Sequence, residues 1–256
     1  MTAPEVEPMT MTAPSEPSRP RTAALPRDTA MRLAAAEYQR FADLLTALSP
    51  DDWAKPTECP GWDVRAMASH ALGMVEMAAS IRERNRQFKL AGSRGGVFID
   101  ALTALQVDER AGMTPAQITG RFAARGPKAA RARRRVPGFI RRRVTVGGQD
   151  EAWTIGYLID VILTRDTWMH RADIARATGA MHVLSAGHDG VLVADVAAEW
   201  AARHGQPYTL HLAGPAGGSW ASGKGGPLIE TDAVEFCRLL SGRGLAGGLL
   251  ATHVPF

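Results

Sequence analysis

The chain has 256 residues, of which 45% are hydrophobic and 22% are charged, and these fractions are ordinary for a globular protein. No apolar run approaches the roughly 18–20 residues of a membrane span. The N-terminus also lacks the basic-then-apolar pattern of a signal peptide, so we expect a cytoplasmic protein with no membrane partner. Two cysteines, Cys59 and Cys237, are too few for a disulfide framework or a cysteine-based zinc site.

The net charge of +4 comes from one segment. Residues 125–143 hold nine of the 30 basic residues and no acidic residue, while the other 21 basic residues are outnumbered by 26 acidic ones. We interpret this segment as a solvated helix face or loop rather than a polyanion site, because only Phe139 places an aromatic ring among its arginines and a stacking platform for bases needs more. A nucleic-acid partner is therefore not expected.

The first half of the chain predicts a tail and four or more helices. Residues 1–27 are rich in Pro, Thr, Ala and Glu and predict a disordered tail. A cap at Asp28 or Thr29 then starts the first helix. Spacing of apolar residues and turn signals predict the following elements: a helix to about residue 48, a loop over 53–62, a helix over 64–88 capped by Asp63, a helix over 97–110, and a helix that starts at Thr114 and ends near 137.

The second half predicts one long helix and then a change of architecture. The long helix runs from about Asp150 to Gly179, a good C-terminal capping residue. After it we predict a helix over 189–204, strands over 208–213, 219–221 and 227–231, and a helix over 233–240. The sequence therefore predicts a mainly α protein: an antiparallel four-helix bundle over residues 28–183 and a small α+β domain over residues 184–256.

Three polar side chains share one face of the long helix. Asp166, His170 and Asp173 recur at i, i+4 and i+7, on a face that is apolar at both ends. Buried charges are retained when they are paired or bound to metal. A carboxylate and an imidazole four residues apart can reach one metal ion from adjacent turns.

A candidate for a third ligand of such an ion lies on the predicted helix over 64–88. His70 lies there among apolar residues and is either a core histidine satisfied by a neighbour or a ligand. His70, Asp166 and His170 would leave an open position on a divalent ion. Asp173 and Asp63 are candidates for orienting a ligand histidine, by accepting a hydrogen bond from the ring nitrogen that does not bind the metal. Asp63 is equally a candidate helix cap.

Two motifs resemble one family. Trp53-x-x-Pro-Thr-x-Cys59-x-Gly-Trp-x-Val-Arg65, with His70 five residues later, is similar to the N-terminal signature of the mycothiol-dependent maleylpyruvate isomerase family of the DinB-like metalloproteins. Arg165-Asp166-x-x-x-His170-Arg171-x-Asp173 is similar to its second signature. The resemblance covers about residues 30–256.

The resemblance implies a DinB-like bundle with a divalent metal, zinc by family precedent, and a C-terminal domain resembling sterol-carrier modules. It places the ligands at His70, Asp166 and His170. The family has glutamate where this chain has the shorter Asp166. Its catalytic arginines match no motif here, so catalytic and mycothiol-binding residues stay unassigned.

The function implied by the resemblance is attack of a metal-activated mycothiol sulfur on an electrophilic small molecule. Departure of the sulfur would isomerise a maleylpyruvate-like substrate, and its retention would be S-transfer. Two alternatives stay open: a non-catalytic regulatory or binding member of the superfamily, whose basic segment contacts an acidic partner, and a metal-dependent hydrolase. The chain could be a monomer or a dimer.

Overall fold

The computed structural model describes residues 19–146 and 151–256. Residues 1–18 of the predicted tail lie outside the described residues. Arg21, near the end of the predicted tail, contacts Glu151 and Ala152. Its backbone N–H donates to the carbonyl of Ala152 at 2.8 Å, and its guanidinium binds Glu151 at 2.8 Å. No helix in the described ranges is both long and apolar enough to cross a bilayer.

The secondary structure is mostly helical. In the described ranges the α-helices are α1 (Arg27–Ala47), α2 (Val64–Ala79), α3 (Ile81–Arg94), α4 (Phe98–Asp108), α5 (Pro115–Arg135), α6 (Gly138–Arg141), α7 (Ile155–Tyr157), α8 (Leu163–Thr178), α9 (Val191–His204) and α10 (Ala233–Leu240). A π-helical turn (Leu158–Ile162) joins α7 to α8. The strands are β1 (Val144–Val146), β2 (Ala152–Thr154), β3 (Tyr208–Ala213), β4 (Gly218–Ser222) and β5 (Leu228–Asp232).

Four helices form the bundle. Helix α1 packs against α5 and α8, and α2 packs against the same two helices, so the four enclose one apolar interior. Its fully buried side chains include Phe41, Met67, Leu72, Phe122 and Ile174. The predicted fold class, a mainly α four-helix bundle followed by a small α+β part, is confirmed.

Two predicted helix boundaries and one predicted helix cap were wrong. The helix predicted over 64–88 breaks at Ser80, whose backbone is extended (φ −147°, ψ 120°) and whose hydroxyl accepts the N–H of Glu83 to cap α3. The helix predicted from Asp150 begins at Ile155 instead, because residues 152–154 pair with β1 and Thr154 then caps α7. Asp150 itself lies outside the described residues. At α1, Pro26 occupies the cap position and no side chain caps the helix, contrary to the prediction of Asp28 or Thr29.

The C-terminal part is built around a three-stranded sheet. Its strand order is β4-β3-β5, with β3 antiparallel to β4 and parallel to β5. The apolar core of this part includes Trp200 of α9 and Phe236 of α10, and it continues into Leu33 of α1 and Trp168 of α8. The bundle and the C-terminal part therefore share one core.

Two buried arginines of α8 reinforce that junction. Arg165 donates to Asp195 of α9 at 2.6 Å and to Glu199 at 2.8 Å. Arg171 donates to Glu37 of α1 at 2.6 Å and to Asp189 at 2.6 Å. Because both guanidinium groups are buried and paired, removal of either would leave unpaired buried carboxylates, which is costly.

Gly73 of α2 contacts one glutamine of α3 and one of α4. The carbonyl of Gly73 accepts the amide of Gln87 at 3.3 Å, and Gln87 in turn accepts the amide of Gln106 at 2.9 Å. A Cβ at residue 73 would lie 2.7 Å from Cβ of Gln106 and 2.5 Å from its Cγ. To relieve this contact, the whole side chain of Gln106 must move, including its Cβ.

We therefore expect Gly73→Ala to lower the free energy of unfolding by about 1–3 kcal/mol, the usual cost of overpacking. The matched control is Gly120→Ala in α5, where an added Cβ meets nothing within 4 Å. That change should stabilise by up to about 1 kcal/mol through helix propensity. Urea denaturation measures both, and equal effects at the two positions would contradict the close contact.

His182, in the segment after α8, predicts a pH dependence of stability. Burial, followed by the nearby positive charge of Arg171, lowers the pKa of His182 from 6.5 to about 4, and its Nε2 is buried with no hydrogen-bond partner in the described residues. Between these two pKa values the unfolded chain binds a proton that the folded chain does not. The native state therefore loses stability as pH falls from about 6.5 to 4.

In His182→Asn this loss should be absent. The stability difference between pH 7 and pH 4 should shrink by up to about 3 kcal/mol relative to the parent protein, at 1.36 kcal/mol per pKa unit. Denaturation curves of both proteins at each half pH unit measure the difference. Parallel stability profiles for the two proteins would contradict the lowered pKa.

Candidate metal centre

The three predicted ligands meet between α2 and α8. His70 is 5% exposed and His170 is 7% exposed, and the rings approach each other with centroids 5.2 Å apart at an interplanar angle of 89°. His70 comes from the first half of α2, whose start is fixed by Asp63. Asp166 and His170 come from adjacent turns of α8, as their spacing predicts.

The donor atoms converge on one carboxylate oxygen. Nε2 of His70 lies 3.7 Å from Oδ1 of Asp166, and Nε2 of His170 lies 3.3 Å from the same atom. In tetrahedral coordination with ligand distances of about 2.0–2.2 Å, neighbouring ligand atoms are about 3.3–3.6 Å apart. The other carboxylate oxygen of Asp166 is buried with no hydrogen-bond partner in the described residues. These side chains therefore fit a divalent ion.

The charges of this trio are strongly coupled. Burial alone would raise the pKa of Asp166, but the neighbouring His170 and hydrogen bonds from both imidazoles outweigh it and hold that pKa well below its usual range. Burial opposes charge on His170 as well, yet the carboxylates of Asp166 and Asp173 raise its pKa to about 9. A metal ligand must be the neutral imidazole, so cation binding here would release a proton.

Asp173 lies behind His170. Its Oδ2 is 3.4 Å from Nδ1 of His170, and its two oxygens accept Nε of Arg243 at 2.8 and 3.0 Å. Arg243 follows α10, so the C-terminal part supplies a group that holds Asp173 in place. Sequence reasoning did not assign Arg243, because 70 residues separate it from Asp173 and no motif surrounds it.

Two further side chains border the centre. The half-buried ring of Trp62 lies 5.2 Å from the ring of His70 and 6.1 Å from that of His170. Sγ of Cys59 lies 3.9 Å from Nη2 of Arg243, and burial raises the pKa of this thiol. Both residues belong to the first sequence motif, whose loop thus forms one wall of the centre.

Asp63 occupies a different place from the other predicted site residues. Its carboxylate accepts the N–H of Ala66 at 2.7 Å and caps α2. Among the described residues it makes no hydrogen bond to a histidine ring. The capping interpretation accounts for the side-chain hydrogen bond that Asp63 makes among the described residues.

A second group of side chains that could bind a metal already binds an arginine. Glu37, His188 and Asp189 are buried with their ligand atoms close together. Nε2 of His188 is 2.7 Å from Glu37, and Arg171 donates to both carboxylates. This guanidinium already supplies the positive charge that a metal would, so the group is part of the junction between the bundle and the C-terminal part.

A family comparison matches the part of the chain that carries this centre. The model of the mycothiol maleylpyruvate isomerase N-terminal domain matches residues 34–175, more than half of the chain. The chain belongs to this family. An uncharacterised protein of Mycobacterium tuberculosis, present in two strains, is 25% identical over 226 residues, which cover 81% of this chain and 82% of the relative.

Solved structures of the family share the fold. A crystal structure of the mycothiol-dependent maleylpyruvate isomerase matches with a TM-score of 0.57 and 15% identity, over 87% of this chain and 92% of that chain. A histidine-to-alanine mutant of that enzyme matches with a TM-score of 0.55 and 15% identity, over 86% and 90%. Both matches span the bundle and the C-terminal part, so the two parts occur together in a known fold.

The position of Asp173 predicts its effect on metal affinity. Asp173→Asn weakens the acceptor that faces Nδ1 of His170, and such changes usually cost 10–100-fold in metal affinity. Asp63→Asn is the matched control, because asparagine caps helices about as well as aspartate and Asp63 contacts no imidazole. Competition with a chromogenic chelator measures zinc affinity. Equal affinities of the two variants would contradict the orienting role of Asp173.

Proposed function

We propose that this chain is an enzyme that uses mycothiol together with a divalent metal, zinc in the first place, to act on an electrophilic small molecule. The metal is held by His70, Asp166 and His170. The observation that supports this most directly is the convergence of two imidazole nitrogens on Oδ1 of one partly buried aspartate, at 3.7 and 3.3 Å, in a chain of the mycothiol maleylpyruvate isomerase family.

The donor set suits zinc chemistry on a thiol. Two neutral nitrogens and one carboxylate oxygen leave the fourth tetrahedral position free for an outside ligand. A bound divalent metal supplies the thiolate form of a coordinated thiol at neutral pH, where a free thiol with a pKa of about 8.5 is mostly protonated. The one negative charge of Asp166 leaves the centre positive overall, which favours that ionisation.

The remaining side chains hold and border this centre. Asp173 accepts from the His170 ring and from Arg243, so it fixes the rotation of the ring and directs Nε2 toward Asp166. The ring of Trp62 packs beside both imidazoles, with centroids 5.2 Å from His70 and 6.1 Å from His170. The Asp166 side chain is 19% exposed, so the centre is reachable from solvent next to Asp166 rather than through the bundle interior.

The reaction follows from what a thiolate does to an electron-poor double bond. A sulfur–carbon bond forms while the π electrons of the double bond move to the conjugated carbonyl, and the former double bond can then rotate. Isomerisation of a maleylpyruvate-like substrate results when those electrons return and the sulfur leaves. S-transfer results when the carbon takes up a proton and the sulfur stays.

The deciding experiment joins metal content to thiol-dependent turnover. We expect about one equivalent of zinc per chain in the purified protein, and mycothiol-dependent conversion of maleylpyruvate or of a generic thiol-reactive electrophile. His170→Ala should lose both the metal and at least 100-fold of the activity. His211→Ala is the control, since His211 is exposed on β3 and its ring contacts Ser219.

Asp166→Asn gives a second readout if His170→Ala fails to fold, because it removes one charged ligand without changing side-chain volume. Full metal content and unchanged turnover in both variants would contradict the proposal. Activity that needs metal but no thiol would favour a hydrolase. Salt-dependent binding of an acidic partner by metal-free protein would favour a regulatory member of the superfamily.

A further inference from the structure

An open cleft lies between the end of α2, the start of α3, the end of α4 and the first half of α5. Its volume is about 590 Å³, within the range of small-molecule sites. Five arginines line it: Arg82, Arg86, Arg110, Arg121 and Arg125. We call it the arginine cleft. Three glutamates also line the cleft, so its walls carry two more positive than negative charges.

Every glutamate of the arginine cleft is already paired. Glu76 accepts from Arg110 at 2.5 Å and also from Arg121. Glu83 and Glu109 both accept from Arg86, at 2.6 and 2.5 Å. Three arginines therefore neutralise the three carboxylates and hold one another in a fixed arrangement.

Two arginines are left over. Arg82, in the first turn of α3, and Arg125, on α5, have no carboxylate or carbonyl partner among the described residues, and both are exposed at the mouth of the cleft. Deeper inside, Arg110 is 3% exposed and its Nε is buried without an acceptor. A buried guanidinium N–H without an acceptor is costly, and a ligand oxygen would relieve that cost.

The N-terminus of α3 also favours an anion in the arginine cleft. Helix α3 starts at the cleft, and Ser80 there lines the cavity. Its hydroxyl already accepts the N–H of Glu83, but the positive end of the helix dipole still faces the cleft. Guanidinium forks match the oxygen geometry of phosphate and carboxylate groups.

We propose that the arginine cleft binds a small molecule through a compact dianionic group. The excess of two positive charges matches a charge of −2, and the cleft is large enough for an organic remainder attached to the anion. The anion would be held by Arg82 and Arg125, with Arg110 below them. Phosphate monoesters and dicarboxylates both present this chemistry.

The cleft is separate from the metal centre, although α2 contributes to both. His70 and Glu76 are six residues apart, which is about 9 Å along the helix and about 120° around it. No residue of the metal centre lines the cleft. The proposal therefore does not depend on the mycothiol-dependent activity.

Isothermal titration calorimetry on the full chain tests the cleft with two probes, inorganic phosphate and succinate, at constant ionic strength set by chloride. We expect saturable binding of one equivalent of at least one probe. The probe that binds more tightly shows whether the cleft prefers a phosphate group or a dicarboxylate. Arg82→Gln combined with Arg125→Gln should weaken binding at least tenfold. These side chains are exposed, so the fold should be retained.

The matched control is Arg84→Gln, an exposed residue of α3 outside the cleft, which should leave the affinity within twofold of the parent. Glu109→Gln should tighten binding, because it removes a negative charge from the wall. Absence of saturable binding by both probes would overturn the proposal. So would an equal loss in the double variant and in Arg84→Gln, since that outcome indicates an adventitious ion attracted by charge alone.

Discussion

The structure depends on the buried ion pairs that α8 makes with the elements on both sides of it. Arg165 precedes Asp166 by one residue and Arg171 follows His170 by one residue, so the two guanidinium groups flank the candidate ligands along the chain. Arg165 binds α9 through Asp195, and Arg171 binds α1 through Glu37. Breaking one such buried pair typically costs about 3–5 kcal/mol. The same pairs fix the rotation of α8 about its axis, and hence the direction of Asp166 and His170 toward α2.

This arrangement explains why the C-terminal part belongs to the centre although it supplies no metal ligand. It provides Asp195 to Arg165 and Arg243 to Asp173, at two positions that lie eight residues apart on the helix. The ligand helix is thus held by apolar packing and by ion pairs on both sides: Trp168 packs in the core of the C-terminal part, and Arg171 pairs with Glu37 of the bundle. The motif Arg-Asp-x-x-x-His-Arg-x-Asp therefore contains two of the proposed metal ligands together with the arginines that attach α8 to the neighbouring elements.

Much of the fold and the three proposed ligands could be predicted because they depend on local periodicity. The i, i+4 relation of Asp166 and His170 needs only a helix, and His70 was identified as a polar residue on an apolar face. Arg243 could not be found, because its contact with Asp173 depends on how α10 docks against α8. The break at Ser80 was missed for the opposite reason: the local sequence continues a helical pattern, and the competing signal is one hydroxyl that caps α3.

The π-helical turn at Leu158–Ile162 has a consequence for comparing this chain with its relatives. A π-turn accommodates one residue more than a regular helical turn without ending the helix. Residues before and after it are therefore out of phase by about 100°. A relative whose helix is regular here would align with a one-residue gap inside an unbroken helix. That gap would be a real difference in backbone geometry, and helical spacing counted across it from Tyr157 to Asp166 would assign the wrong residue to the ligand face.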